Sequence, residues 1–280
     1  MIEIIAVVGA GTMGAGIAQV AAQSGFKTIL FDLDKNVLNK AFISIKKGLQ
    51  YLVNKQLLTQ LKHDDILNSL VFTNNINDCV AEIIIEAIIE KPAAKIDLFN
   101  KLAAINSSQT IFASNTSSLS ISEIQVAVVN PQRVIGMHFF NPAPVMKLVE
   151  IVQGPLTSMH TIQTTETLCR QLNKTPVICK DAPGFIVNRV ARHYYLEAMH
   201  LVELGLATIE NVDAIMEATG FKMGPFKLMD LIGMDINLAV SKSMYEAFQQ
   251  AERFMPSAMQ IDKVNKGELG RKTGKGFYNY

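Results

Sequence analysis

The sequence of 280 residues is poor in cysteine, in net charge and in long apolar runs. Its three cysteines, Cys79, Cys169 and Cys179, show neither Cys-x-x-Cys nor mixed Cys/His spacing, which argues against a disulfide framework or a structural zinc site. A formal net charge of +1 provides no general field that would attract nucleic acid or an anionic membrane. Apolar stretches end well short of the roughly 18 residues typical of a membrane span. The sequence therefore predicts no metal, no nucleic-acid partner and no membrane partner.

The amino terminus also lacks a basic segment, and its first apolar run leads into a glycine-rich motif instead of a cleavage site. We therefore expect an uncleaved, cytoplasmic protein. Hydrophobic residues make up 49% of the sequence and charged residues 18%, which at this length allows two domains with sizeable cores.

The glycine-rich motif is Gly-x-Gly-x-x-Gly, formed by Gly9, Gly11 and Gly14 with Thr12 and Met13 between the last two. It follows an apolar strand-like run at residues 4–8 and precedes a helical pattern. In a dinucleotide-binding unit the first glycine permits a tight turn, the second lets the backbone approach a pyrophosphate, and the third lets the helix pack closely on the sheet. The helix N-terminus then offers N–H groups to the phosphates.

An acidic residue, Asp32, ends the second apolar run at about the twenty-residue spacing of this motif. Its carboxylate can accept hydrogen bonds from the adenosine ribose, whereas a phosphate on that ribose would meet a like charge. We therefore predict NAD rather than NADP. A merely tight turn is the alternative, but the strand, the helix and the acidic residue all agree with cofactor binding.

The first 180 or so residues alternate strand-like and helical patterns. This alternation predicts an α/β fold, a Rossmann-type doubly wound sheet, with a helical hairpin at about residues 36–70 standing off the sheet. The candidate strands are residues 4–8, 28–31, 83–86, 111–113, 134–139 and 148–152.

A break at residues 181–184 separates this part from an all-α remainder, so we expect an NAD-binding domain at 1–182 and a helical domain for substrate and dimerisation at 183–280. Helices are predicted at 185–204, 209–219 and 229–250, with a short piece after Pro256. Residues 185–204 are apolar nearly all round, which predicts burial on most faces, partly against a second subunit.

Four polar residues lie where a core would prefer none: Ser117, His138, Glu150 and Asn188. A carboxylate within the apolar run at 148–152 is costly unless it is paired, and His138 at the end of the preceding run is a natural partner. Such a pair would fix the imidazole tautomer for general acid/base work. Each residue alone has a plainer explanation: a packed core histidine, an edge glutamate facing solvent, a helix-capping serine and a helix-face asparagine.

The chain resembles the L-3-hydroxyacyl-CoA dehydrogenase family, and within it the bacterial 3-hydroxybutyryl-CoA dehydrogenase type, over essentially its whole length. The resemblance is carried by VGAGTMG (8–14), EAIIE (86–90), ASNTSSL (113–119), HFFNP (138–142), DAPGFIVNR (181–189), GPF (224–226) and GRKTGKGFY (270–278).

The resemblance implies NAD-dependent oxidation of a 3-hydroxyacyl-CoA by a homodimer, with His138 as the catalytic base and Glu150 as its orienting partner. It implies that Ser117 and Asn188 bind the substrate and are catalytic residues as well. The remaining implied residues are Glu90, Lys95, Asn115 and Ser117 beside the cofactor, with Asn141 in the substrate pocket.

The hairpin is by the same resemblance the CoA side, and Lys47 and Lys55 are its candidate phosphate ligands. A solvated charged face explains these lysines equally well. Two other functions stay open. A non-catalytic NAD-binding relative would not need the four polar residues, and a dehydrogenase of a small free 3-hydroxy acid would need an arginine such as Arg189 or Arg192.

Overall fold

The computed structural model describes residues 2–280. The chain forms two compact units, Met1–Ala182 and Pro183–Tyr280. The first unit is built on one eight-stranded sheet. Its strands are β1 (Ile4–Val8), β2 (Lys27–Phe31), β3 (Leu70–Thr73), β4 (Ile83–Glu86), β5 (Ile111–Ser114), β6 (Val134–Phe139), β7 (Leu148–Gln153) and β8 (Thr175–Lys180).

The strand order is β3-β2-β1-β4-β5-β6-β7-β8, and every neighbouring pair is parallel except the antiparallel β6 and β7. Chain order reverses between β1 and β4, which makes that gap the topological switch point of the sheet. The central strands are buried on both faces because their residues are almost all apolar.

The helices of this unit are α1 (Thr12–Gln23), α2 (Lys35–Asn54), α3 (Gln60–Asn68), α4 (Pro92–Ile105), α5 (Ile121–Gln125) and α6 (Met159–Gln171). Helices α2 and α3 form the expected hairpin, but it ends at Asn68 because Leu70 begins β3. A stripe on α2 is buried in the main core, namely Leu38, Ala41, Ile45 and Leu49. The hairpin therefore packs on the domain, with α2 against α1, and its charged outer face remains exposed.

Two strands were not expected from the sequence, and both lie at the edges of the sheet. Strand β3 has only four residues, of which only Leu70 is buried. Strand β8 contains Pro176 and no buried residue, so it lacks the apolar pattern of the central strands. The remaining candidate strands match the observed ones to within one residue at each end.

The second unit contains α7 (Val187–Glu203), α8 (Ile209–Ala218), α9 (Pro225–Ile232), α10 (Met234–Ala247) and α11 (Ala258–Asn265). The prediction of a single helix at 229–250 is wrong, because Gly233 at φ +104° separates α9 from α10. Helix α7 buries one stripe, and Val190 on it is 67% exposed. The expectation that this helix is buried on most faces is thus not met within a single chain.

The carboxyl-terminal segment folds back onto α9. The buried carboxylate of Asp230 accepts hydrogen bonds from the backbone N–H groups of Phe277 and Tyr278, each at 2.9 Å. Buried Asp213 accepts one from the Tyr278 hydroxyl at 2.8 Å and one from the Phe226 N–H at 2.9 Å. The glycine-rich end of the sequence therefore has a structural role in this unit, where two buried aspartates hold it in place.

Over residues 2–280, no helix combines the length and the apolar character needed to cross a membrane. The same residues contain no group of three or more His, Cys, Asp or Glu side chains placed to hold a metal ion.

Candidate active site

The glycine turn between β1 and α1 has the geometry that dinucleotide binding requires. Gly9 has φ +97°, and a Cβ there would meet the Ala87 carbonyl oxygen at 2.6 Å. A Cβ at Gly14 would collide with the carbonyl group of Gly9, so the helix packs closely on the turn. Gly11 faces open space and is the N-cap of α1 without a side-chain cap, which leaves the first-turn N–H groups of Thr12 and Met13 for a phosphate.

Asp32 follows β2 directly and is held by the backbone. Its Oδ2 accepts from the Ala10 N–H at 2.8 Å and its Oδ1 accepts from the Asp34 N–H at 3.0 Å. The carboxylate lines a cleft of about 530 Å³ together with Gly9, Gly11 and apolar side chains such as Val37 and Ile88. Apolar walls, one oriented carboxylate and a helix N-terminus fit the adenosine half of NAD.

The loop after β5 is organised by Glu90. Its Oε1 accepts from the Thr116 hydroxyl at 2.5 Å, from the Ser117 N–H at 3.0 Å and from the Ser118 hydroxyl at 3.2 Å. Burial raises the pKa of Glu90, but the Lys95 charge and these hydrogen bonds outweigh burial, so the net shift is downward. Glu90 is therefore ionised at neutral pH, and it fixes the backbone that carries Ser117.

Lys95 lies on α4 with its side chain 1% exposed. Its ammonium pairs with Glu86, which is fully buried at the end of β4, and with Oε2 of Glu90 at 3.2 Å. Burial raises the pKa of Glu86, and Lys95 offsets only part of that shift. Glu86 was not among the predicted site residues, although a glutamate at the end of an apolar run is a signal similar to Glu150 within one.

Asn115 continues from β5 and contacts the neighbouring strand. Its Oδ1 accepts from the Phe139 N–H at 2.9 Å, and its own N–H donates to the Glu86 carbonyl oxygen at 2.8 Å. Because Phe139 follows His138 in the chain, Asn115 holds the end of the strand that carries the histidine.

His138 and Glu150 are register partners across the antiparallel pair of β6 and β7. Nδ1 of His138 lies 2.7 Å from Oε2 of Glu150, and the two side chains are 7% and 1% exposed. The Phe140 ring lies 4.5 Å from the imidazole, centroid to centroid. A buried carboxylate at this distance orients the ring and fixes which nitrogen faces away from it, so the pair is suited to general acid/base work.

A second cavity, of about 440 Å³, lies between α1, α2 and the turn at 141–144. Asn141 lines it, as do Gly11 and Thr12 at the N-terminus of α1 and the hairpin residues Lys40 and Ser44. The cavity thus connects the glycine turn with the hairpin.

The two lysines expected to bind phosphate, Lys47 and Lys55, are exposed on the hairpin and do not line this cavity. Lys55 lies over the ring of Tyr51, with Nζ 5.8 Å from the centroid.

Asn188 lies in the second unit, half-buried in the first turn of α7. The two arginines on this helix are both engaged within that unit. Arg192 is buried and donates to the Asn237 carbonyl oxygen and the Ser241 hydroxyl, each at 2.8 Å. The guanidinium of Arg189 lies over the Phe248 ring at 4.7 Å.

All three cysteines are reduced. Burial raises the pKa of Cys79 and of Cys169 to about 12, and that of Cys179 to about 11. The thiols therefore stay protonated at neutral pH and are poor nucleophiles.

The eight-stranded doubly wound sheet and the glycine turn define a dinucleotide-binding protein. The profile of the 3-hydroxyacyl-CoA dehydrogenase NAD binding domain matches residues 4–182, and that of the 3-hydroxyacyl-CoA dehydrogenase C-terminal domain matches residues 184–280. The chain belongs to the 3-hydroxyacyl-CoA dehydrogenase family, and its cofactor is NAD. The predictions of the family, the fold class and NAD are thereby confirmed.

Similar proteins carry related names. A 3-hydroxyadipyl-CoA dehydrogenase of Escherichia coli is 43% identical over all of this chain, which spans 59% of that protein. The mitochondrial hydroxyacyl-coenzyme A dehydrogenase of Rattus norvegicus is 40% identical, and the match covers all of this chain and 92% of the rat protein. The crystal structure of (S)-3-hydroxybutyryl-CoA dehydrogenase from Ralstonia eutropha superposes with a TM-score of 0.95 at 36% identity, covering 100% of this chain and 99% of that one.

Proposed function

We propose that the protein interconverts (S)-3-hydroxyacyl-CoA and 3-ketoacyl-CoA, with 3-hydroxybutyryl-CoA as its substrate. The observation that carries this proposal is the buried pair of His138 and Glu150, 2.7 Å apart, on the strand next to the loop of Ser117. Family membership supplies the substrate class. Relatives named 3-hydroxybutyryl-CoA dehydrogenase that match this chain over nearly their whole length support the short acyl chain.

The proton transfer follows from the electrostatics of the pair. With Nδ1 engaged by Glu150, Nε2 of His138 takes the proton of the 3-hydroxyl group in oxidation and returns it in reduction. Glu150 lowers the cost of the imidazolium in a site removed from water. NAD, when bound, supplies the hydride acceptor or donor.

Ser117 and Asn188 donate hydrogen bonds to the 3-oxygen, where negative charge develops during reduction. Ser117 is suited to this role because Glu90 fixes its backbone. Asn141 contributes to the substrate pocket. Asn115, which holds the strand of His138, supports the same site beside the cofactor.

CoA is proposed to lie along the hairpin, with Lys47 and Lys55 near its phosphates. Lys55 and the exposed ring of Tyr51 are neighbours on one turn, which offers a cation and an aromatic surface to a nucleotide. Replacing Lys47 and Lys55 together by Ala should raise KM for acetoacetyl-CoA, and an unchanged KM would remove this assignment.

The first unit is proposed as the NAD-binding domain and the second as the substrate and dimerisation domain of a cytoplasmic homodimer. Its place would be in fatty-acid or butanoate metabolism. A dehydrogenase of small free hydroxy acids is disfavoured because Arg192 is already committed to Asn237 and Ser241, and Arg189 to Phe248.

The direct test follows NADH absorbance with acetoacetyl-CoA, beside free acetoacetate and beside NADPH. The proposal expects rapid oxidation of NADH with the CoA ester alone. Turnover of the free acid would favour the small-acid enzyme. No turnover together with intact NADH binding would favour a non-catalytic relative.

A further inference from the structure

A buried ion cluster lies at the carboxyl ends of β4 and β5, formed by Glu86, Lys95 and Glu90. Glu86 and Lys95 are almost completely buried, whereas the Glu90 side chain is 37% exposed. The single ammonium group thus serves two carboxylates. A buried charge is retained only when it is well paired, so this arrangement carries a substantial desolvation cost.

Glu86 contacts other groups besides Lys95. Its Oε1 accepts from the Ile88 N–H at 3.1 Å, and its Oε2 accepts from the Ser114 hydroxyl at 2.8 Å. Ile88 lines the cleft that contains Asp32, and Ser114 precedes the loop of Ser117. One carboxylate therefore fastens the ends of two neighbouring strands and orients Lys95, which in turn holds Glu90.

The cluster lies on the nicotinamide side of the sheet. In a doubly wound sheet the dinucleotide spans the switch point, here between β1 and β4. Asp32 at the end of β2 assigns the adenosine half to one side of that point. The ends of β4 and β5, with the cluster, then belong to the nicotinamide half.

The Lys95 ammonium, the Ile88 N–H and the Ser114 hydroxyl all donate to Glu86, which favours its carboxylate form. Two carboxylates and one ammonium then leave one excess negative charge. The nicotinamide ring is positively charged in NAD⁺ and neutral in NADH, so the two redox states respond differently to a nearby charge. We propose that Glu86 is a positioning residue which, through Lys95, sets the charge and orientation of Glu90, and that the cluster thereby binds NAD⁺ more tightly relative to NADH. This inference rests on the proposed function for the site it addresses.

The test measures dissociation constants of NAD⁺ and NADH, by calorimetry and by NADH fluorescence, for the unaltered protein and for Glu86→Gln and Glu90→Gln. Glutamine preserves the size and most hydrogen bonds of each side chain while removing its charge. Glu166→Gln, at a half-buried position on α6 where the carboxylate pairs with Arg170, removes the same charge far from the cluster in the sequence and serves as the control.

We expect each cluster variant to raise the ratio Kd(NAD⁺)/Kd(NADH) roughly sixfold, the effect of one unit charge across about 10 Å at an effective dielectric of about 30. The control should leave the ratio unchanged. A purely structural role would weaken both affinities alike, so a constant ratio in both cluster variants would overturn the inference. If Glu86→Gln does not fold, an unchanged ratio in the more exposed Glu90→Gln still overturns the inference, because the cluster then exerts no charge effect on the cofactor.

This experiment also separates the inference from the function on which it rests. Absence of binding of either cofactor to the unaltered protein would contradict the proposed function itself. Normal binding with no change of ratio in the variants would contradict only the role of the cluster.

Discussion

At the scale of single residues, Glu150 is the sharpest test of how the histidine is held. Glu150→Gln keeps a hydrogen-bond acceptor near Nδ1 of His138 but removes the buried charge that stabilises the imidazolium. We expect kcat to fall by about 10² to 10⁴, by analogy with other carboxylate-oriented catalytic histidines. NADH affinity, measured by fluorescence, should stay within twofold because no cofactor contact is assigned to Glu150. A kcat within threefold of the unaltered enzyme would contradict the orienting role.

A second prediction at this scale concerns Asp230, the buried anchor of the carboxyl-terminal segment. Asp230→Asn replaces a carboxylate that accepts two backbone N–H bonds and one from the Tyr280 hydroxyl. The amide can accept with only one of its two atoms, so we expect a loss of about 2 kcal/mol in the free energy of unfolding. Thermal denaturation measures this loss. Asp262→Asn, on the exposed face of α11, is the control, and an equal effect in both variants would contradict the anchoring role.

At the scale of elements, Glu268 links α11 to the segment that follows it. Its carboxylate pairs with Lys263 at 2.6 Å and with Lys275 at 2.5 Å. Hydrogen bonds from these lysines lower the pKa of Glu268 from its usual 4.5 to about 2. Because the folded-state pKa is depressed, this stabilisation is present above pH 4.5 and is lost as the pH falls towards 2.

Glu268→Gln should therefore lower Tm at pH 6, and the difference from the unaltered protein should shrink as the pH falls towards 3. Lys266 pairs with Asp262 on the same helix, so Asp262→Asn again provides a matched control on an exposed ion pair. A Tm difference that stays constant over this pH range would show that the charge of Glu268 is not what stabilises the junction.

Some strands and helices could be predicted from the sequence, and others could not. The central strands were predictable because continuous apolar runs and the glycine turn both report a buried parallel sheet. Strands β3 and β8 were missed because edge strands lose that pattern, and the break at Gly233 was missed because apolar residues continue on both sides of it. The contacts of Asn115 and Glu86 could not be predicted from the sequence, because they depend on which strand ends are neighbours in space.

The pairing of His138 with Glu150 was predictable from polar residues that break an apolar pattern. Each polar residue interrupts an apolar strand, and the turn at 141–144 brings the two strands together as register partners. The assignment of Lys47 and Lys55 on the hairpin to the CoA phosphates stays a prediction, and the cavity beside the hairpin is lined by another lysine, Lys40. Spacing along a helix identifies a charged face, but not which residue of that face borders a cavity.

At the scale of the whole molecule, the proposed homodimer accounts for the exposed apolar residues of the second unit. Val190 on α7 is 67% exposed, and Ile186 just before that helix is 41% exposed. A subunit interface over the start of α7 would remove both side chains from water. Sedimentation velocity should find a dimer of the 30.8-kDa chain, and Val190→Glu should shift it towards the monomer. A monomeric unaltered protein would contradict the proposal.

The account as a whole depends on His138 as the proton carrier in an NAD-dependent oxidation. The most direct test of this role is to measure the turnover of acetoacetyl-CoA with NADH by the His138→Gln variant, together with the NADH dissociation constant of the same variant. We predict that turnover is abolished and NADH affinity is retained, because the histidine moves the proton while the glycine turn and Asp32 bind the cofactor. Retained turnover, or the loss of both properties together, would contradict the account.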